Sequence, residues 1–165
     1  MSGTDHPLAI LAPSAPRRWL SAFVQGGLGV MLVWFAANLA EPSPLLVVML
    51  LAGGLLAIHL ARLTWIATGR RIILTRQGLS DSDGTLLATM DQIQRVDRGV
   101  FAFKPSNGFV VTLKDPAPRG WAPGLWWRLG RRLGVGGSVD GRAAREMADL
   151  IAVIKAGHLP EPDED

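Results

Sequence analysis

The chain has 165 residues, 48% of them apolar, and a mean hydropathy of +0.25, which leaves room for one modest domain and requires a strongly apolar part joined to an ordinary polar one. Lys and Arg outnumber Asp and Glu by 17 to 14, and the final "EPDED" holds four of the acids, so the remainder is more basic than the net charge of +3 conveys. The absence of cysteine excludes disulfides, thiolate metal sites and cysteine nucleophiles, and the scattered His6, His59 and His158 do not build a metal cage by spacing alone.

Residues 1–18 are expected to form an N-terminal cytoplasmic tail ending in Arg17 and Arg18. The next 22 residues, "WLSAFVQGGLGVMLVWFAANLA" (19–40), carry no charge, and a helical crossing of a bilayer needs about 20. A short turn at 41–44, "EPSP", separates this span from a second at 45–68. There the 17 apolar-dominated residues 45–61 complete a crossing if Arg62 snorkels, with Trp65 as an interfacial anchor. So short a connection makes the pair an antiparallel transmembrane hairpin. Arg17 and Arg18 before it, and Arg62, Arg70 and Arg71 after it, place both termini on the cytoplasmic side of a bacterial inner membrane. The competing reading, a cleaved signal peptide, fits poorly: the apolar stretch exceeds a signal core, Asn38 stands where a small residue is wanted, and a second span follows directly.

Within the hairpin, Gly26, Gly27 and Gly29 lie at depths that antiparallel packing matches with Gly54 and Ala57, small residues that let backbones approach. The same register faces Gln25 with His59, close enough in depth for an interhelical hydrogen bond. An ionisable residue in a span invites a haem-ligand or proton-carrier role. The position of His59 near the cytoplasmic end, three residues from Arg62, favours a structural or interfacial one, and no cofactor is expected.

Beyond Gly69 the pattern becomes one of short strands: "RRIILT" (70–75), "GLSD", a turn at "SDG" (82–84), "TLLATM", "IQRVDRG" and "GFVVTLK" (108–114). Pro116, Pro118 and Pro123 argue against regular pairing after that, and "GVGGSV" (134–139) offers one last short strand. The chain closes with a helix capped by Asp140, carrying Met147, Leu150, Ile151 and Ile154 on one face and Gly157 as C-terminal cap. The expected class is an α+β membrane protein: a transmembrane hairpin, then a small antiparallel β-barrel or bent sheet over 69–157 capped by the terminal helix, then an acidic tail at 158–165.

"IILTRQGLSDSDGTLLATMDQIQRVD" resembles the opening of bacterial pleckstrin-homology-like (PH-like) domains, in which an "L-T-x-x-G-L" strand pair precedes a polar turn and an apolar–x–x–Ile–x–x–Val stretch, filled here by Met90, Ile93 and Val96. With the "V-x-L-K-D-P" strand end at 111–116, the layout over about residues 17–157 is similar to small bacterial two-span membrane proteins of uncharacterised function. The resemblance implies a fold and a membrane setting, with no ligand carried over.

Between strands lies "RGWAPGLWWRLGRRLG" (119–134). As a helix it would gather Leu125, Trp126, Leu129 and Leu133 on one side and Arg128, Arg131 and Arg132 on the other, the pattern of a segment lying in the headgroup plane. Arg119, Trp121, Trp126, Trp127, Arg128, Arg131 and Arg132 are therefore the candidate contacts for anionic lipid or a partner protein; the bland reading packs the apolar face on the barrel and leaves the arginines in water. Nucleic acid suits an anchored chain with an acidic tail poorly. Asp81 and Asp83 form a D-x-D that fits a turn better than metal-bound phosphosugar chemistry, "GVGG" lacks the Lys of a phosphate loop, and no nucleophile–His–acid set assembles. These features describe a non-enzymatic membrane protein displaying a binding module to lipid or another membrane protein, with no small-molecule substrate. The alternative is an accessory or assembly subunit of a larger integral complex, for instance respiratory or photosynthetic, packing through the glycine-rich hairpin.

Overall fold

The computed structural model describes residues 6–41, 43–97 and 106–157; the acidic tail, His158 and the end of "IQRVDRG" lie outside them. Strand β1 (Ala9–Leu11) comes first, then helices α1 (Ala15–Ala37) and α2 (Pro44–Ala67). Both helices follow a serine in extended backbone, Ser14 and Ser43, with proline in the first turn, where a missing N–H costs nothing. Asn38 ends α1 by donating its amide to the Trp34 carbonyl at 2.8 Å. Proline in the first turn and the Asn38 bond in the last mark the ends of α1, Ala15 and Ala37, so it starts and stops earlier than 19–40.

The two helices cross where glycine meets glycine. A Cβ on Gly29 would lie 2.8 Å from the Gly54 carbonyl oxygen, and one on Gly54 would lie 2.9 Å from that of Gly29, so neither position admits a side chain. Gly26 faces Ala61, Ala57 is half-buried, and Gly27 is exposed with nothing near it, so it takes no part in the packing. Mean hydropathies are 1.7 and 2.3, both helices are long enough to cross a membrane, and most of their surface is bare: Phe23 is 77% exposed and Leu45 71%.

After α2 the chain forms β2 (Ile72–Leu74), β3 (Gly78–Asp81) and β4 (Leu86–Thr89), then β5 (Ile93–Asp97), β6 (Phe109–Ala122), β7 (Trp126–Val135) and α3 (Gly141–Lys155). The first sheet has the order β1-β2-β3-β4 and the second β5-β6-β7, both antiparallel. Leu74, Leu79, Leu87, Ile93, Phe109, Leu113 and Leu133 fill the shared core, which Met147, Ala148 and Ile151 of α3 cover. The expected barrel is not closed. Near β4, β7 offers the Arg128 side chain, which donates to the Leu86 and Leu87 carbonyls at 3.0 and 2.7 Å in place of a backbone ladder.

The supposed N-terminal tail contains a strand of this domain. Ala9, Ile10 and Leu11 pair with Leu74, Ile73 and Ile72, and Leu11 is completely buried. The helical hairpin is thus inserted between two neighbouring strands of one sheet, and the chain enters and leaves it on the same side. The β-domain is correspondingly discontinuous in sequence, and residues 69–157 alone would lack an edge strand.

The expected amphipathic helix at 119–134 is a β-ribbon. Trp121 pairs with Trp127 and Gly120 with Arg128 across a turn at Pro123–Leu125. Gly124, Gly130 and Gly134 would each cost a helix about 1 kcal/mol, whereas the tryptophans suit a strand. Pro116 and Pro118 are tolerated inside β6 because the register slips there: from Thr112↔Arg132 to Ala117↔Gly130, β6 advances five residues against two on β7. The terminal helix forms as expected, with the Asp140 carboxylate accepting from the Arg142 and Ala143 amides at 2.8 and 3.1 Å and Gly157 in the left-handed region at φ 82°.

Candidate functional site

The ribbon divides the aromatic and basic residues between opposite environments. Trp126 is buried, and its indole Nε1 donates to Asp81 Oδ2 at 2.9 Å. The Asp81 side chain is itself 0% exposed, and Arg70 Nη1 lies 3.5 Å from the same oxygen, so Trp126 and Arg70 share one carboxylate beneath the ribbon. Gly120 leaves the space that the Trp126 ring occupies, and Trp127 lies over Gly134. Arg128 is committed by its backbone contacts, including a 2.6 Å bond from Nε to the Pro118 carbonyl. Of the seven expected contact residues, these three belong chiefly to the fold. Trp121 (60% exposed), Arg119, Arg131 and Arg132 remain on the surface, and Leu129 (55% exposed), expected on the apolar face of the helix, joins them.

The D-x-D pair is also divided. Asp83 serves the β3–β4 turn, accepting from the Thr85 amide at 3.1 Å and pairing with Arg70. Slight burial raises its carboxyl pKa, but the bonds from Thr85 and the Arg70 charge outweigh this and hold it below the usual carboxylate range. Asp81, by contrast, is the buried acceptor for Trp126, a role that local turn chemistry does not reveal.

A groove lies where the hairpin joins the domain. Pro13 bridges Val139, the Ser14 amide donates to the Ser138 carbonyl at 2.8 Å, and Arg17 Nη1 donates to the Val139 carbonyl at 2.6 Å. On the other side Arg18 Nη2 donates to the Trp65 carbonyl at 3.1 Å, its guanidinium carbon is 4.0 Å from the Trp65 ring centre, and Trp19 meets Trp65 edge-on at 4.7 Å. The Pro13, Ser14 and Arg17 contacts seat the domain on the start of α1, the Arg18, Trp19 and Trp65 contacts tie α1 to α2, and a cavity of about 480 Å³ lies between hairpin and domain. Its floor is the α1–α2 crevice, where Arg17, Ser21 and Gln25 recur at helical spacing opposite Leu60 and Thr64. Its roof is Trp121 and the ribbon turn with Ser106 and Ser138.

Gln25 accepts from the Thr64 hydroxyl at 3.2 Å, so it takes its partner from α2 one turn beyond the expected His59, which is exposed on the hairpin's outer surface. Of the groove residues, only Trp121 was singled out for binding from the sequence. The available signal was the polar set Ser21, Gln25 and Thr64 within otherwise apolar helices; Ser106 and Ser138 are joined to it only by the fold. Comparison with protein-family models, curated proteins and solved structures finds no match to this chain.

Proposed function

We propose that this chain is a non-enzymatic protein of a bacterial inner membrane that holds a PH-like β-module against the cytoplasmic leaflet, where the outer side of the β6–β7 ribbon contacts anionic lipid or a partner protein. The observation that carries this reading is the insertion of two almost bare apolar helices between paired strands β1 and β2. Apolar patches of that extent are costly in water, and a bilayer would cover them. The aromatic residues support the same setting: Trp19 and Trp65 lie at the domain end, Trp34 and Phe35 near the far end, as in an aromatic belt. Two antiparallel sheets of four and three strands with a helix over their core suit the PH-like resemblance. The arginines on the domain side fit a cytoplasmic orientation, and Arg119, Arg131 and Arg132 each add roughly 1 kcal/mol on an anionic surface.

Because the chain has no cysteine, a polarity-sensitive dye on Leu129→Cys would report the ribbon alone. In the full chain reconstituted in phosphatidylglycerol vesicles, the dye's emission should shift to the blue, and replacing Arg119, Arg131 and Arg132 together by Glu should abolish the shift. Identical emission in phosphatidylcholine vesicles and in the triple variant would remove lipid contact from the proposal. The accessory-subunit reading draws on the same bare helix faces, which could pack on other spans. Gentle extraction from the native membrane that yields a large particle with stoichiometric companion chains would favour it.

A further inference from the structure

We infer that the groove at the seam of hairpin and domain holds the phosphodiester head of an anionic membrane lipid. This rests on the hairpin crossing a bilayer, because only then does the groove lie at headgroup depth. From Arg17 to Gln25 it runs eight residues along α1, about 12 Å at 1.5 Å per residue, past the level of the Trp19–Trp65 pair and into the apolar part of the helices. An interfacial cavity of that length accepts a lipid head and the start of its chains.

The lining matches the charge. Among its described lining residues Arg17 is the only ionisable one; Asp140 lies outside the lining but within electrostatic reach of Arg17, its carboxylate taken up by the Arg142 and Ala143 amides. One guanidinium balances the single negative charge of a phosphodiester, whereas a free phosphate or a monoester carries nearly two and would need a second cation. Arg17 uses Nη1 on the Val139 carbonyl and keeps further N–H donors in its fork. Ser21, Ser106 and Ser138 add hydroxyls. The Thr64 hydroxyl donates to Gln25 Oε1, which leaves the Gln25 amide nitrogen as the donor available to a ligand. Leu20 and Leu60 supply apolar wall beside the chains, and Trp121 closes the outer side with a residue suited to the interface.

Native mass spectrometry of the full chain, delipidated in detergent and then offered one ligand at a time, tests the assignment. Phosphatidylglycerol should be retained at one molecule per chain, about tenfold more tightly than zwitterionic phosphatidylcholine, and its deacylated head, glycerophosphoglycerol, should not be retained. Arg17→Gln should lower retention about tenfold, as expected for loss of a charge-assisted contact. Ser21→Phe, which fills the groove from α1 without touching the Val139 contact, should lower it as much. Equal retention of both lipids, or full retention by Ser21→Phe, would overturn the inference, and binding of glycerophosphoglycerol as tight as that of the lipid would assign the groove to a soluble phosphodiester instead. Alkaline extraction of the cell membranes, before detergent is added, separates the two levels: a chain released from them refutes the membrane reading, while an embedded chain that later retains no lipid refutes the groove alone.

Discussion

The hairpin and the β-domain contain similar apolar side chains and use them in opposite directions. In the domain, Leu11, Leu79, Phe109 and Leu133 are at most 1% exposed, and cohesion comes from side chains filling one core. In the hairpin, Phe23, Leu45 and Met49 point outward, and cohesion comes from two backbones touching at Gly29 and Gly54. A region that excludes water by burying its side chains should fail when they are cut back. A region that relies on close backbone approach should fail when side chains are added.

Phe109→Ala should give the largest loss, about 3–5 kcal/mol, because a fully buried ring is removed and a cavity remains. Denaturant titration of the detergent-solubilised chain, followed by tryptophan fluorescence, would measure it; a helical signal that melts together with the domain would break the contrast. Gly29→Leu should cost about 1–3 kcal/mol or more, since the new Cβ alone would lie 2.6 Å from Ile58 Cγ1 and 2.8 Å from the Gly54 oxygen. Gly27→Leu, on the exposed face, should cost little, and equal losses at the two positions in helical thermal melts would contradict the crossing described. Trp126→Phe should cost about 1–3 kcal/mol by leaving Asp81 short of a donor. In a double-mutant cycle with Asp81→Ala the two losses should not add.

The smallest expected effect is at the cap of α3. Bonds from the Ala143 and Arg142 amides hold the Asp140 carboxyl below its ordinary pKa. A lowered folded-state pKa means the contribution is present above the unfolded value of about 3.9 and fades as pH falls through the folded one. Asp140→Ala should therefore lower the melting temperature slightly at neutral pH, and the difference from wild type should vanish in acid.

The contrast also explains what could be read from the sequence. The hairpin was legible because membrane-length apolar runs leave few alternatives, and α3 because Met147 and Ile151 recur on one face behind a capping Asp. Strand β1 was hidden: "AIL" between proline-rich flanks has no local reason to be a strand and acquires one only from Ile72–Leu74, beyond both helices. The ribbon was misread because Leu125, Trp126, Leu129 and Leu133 satisfy a helical period, while the β pairing that wins depends on Phe109–Val111 in a separate segment. Of the proposed contact face, the exposed Arg119, Trp121, Arg131 and Arg132 were visible as a basic aromatic run. The roles of Trp126 and Asp81 were not, because their hydrogen bond spans 45 residues. The groove draws on five separate segments, and no single stretch announces it.

The central claim is that the hairpin crosses a membrane and returns the chain to the side it left. Single cysteines at Ile10, Glu41 and Leu129, each exposed and each the sole thiol in its variant, would test it in intact cells with a membrane-impermeant maleimide. Labelling of Glu41→Cys alone, with Ile10→Cys and Leu129→Cys protected until the cells are opened, is the result expected. Labelling of all three alike, or of Ile10→Cys and Leu129→Cys on opposite sides, would contradict the account.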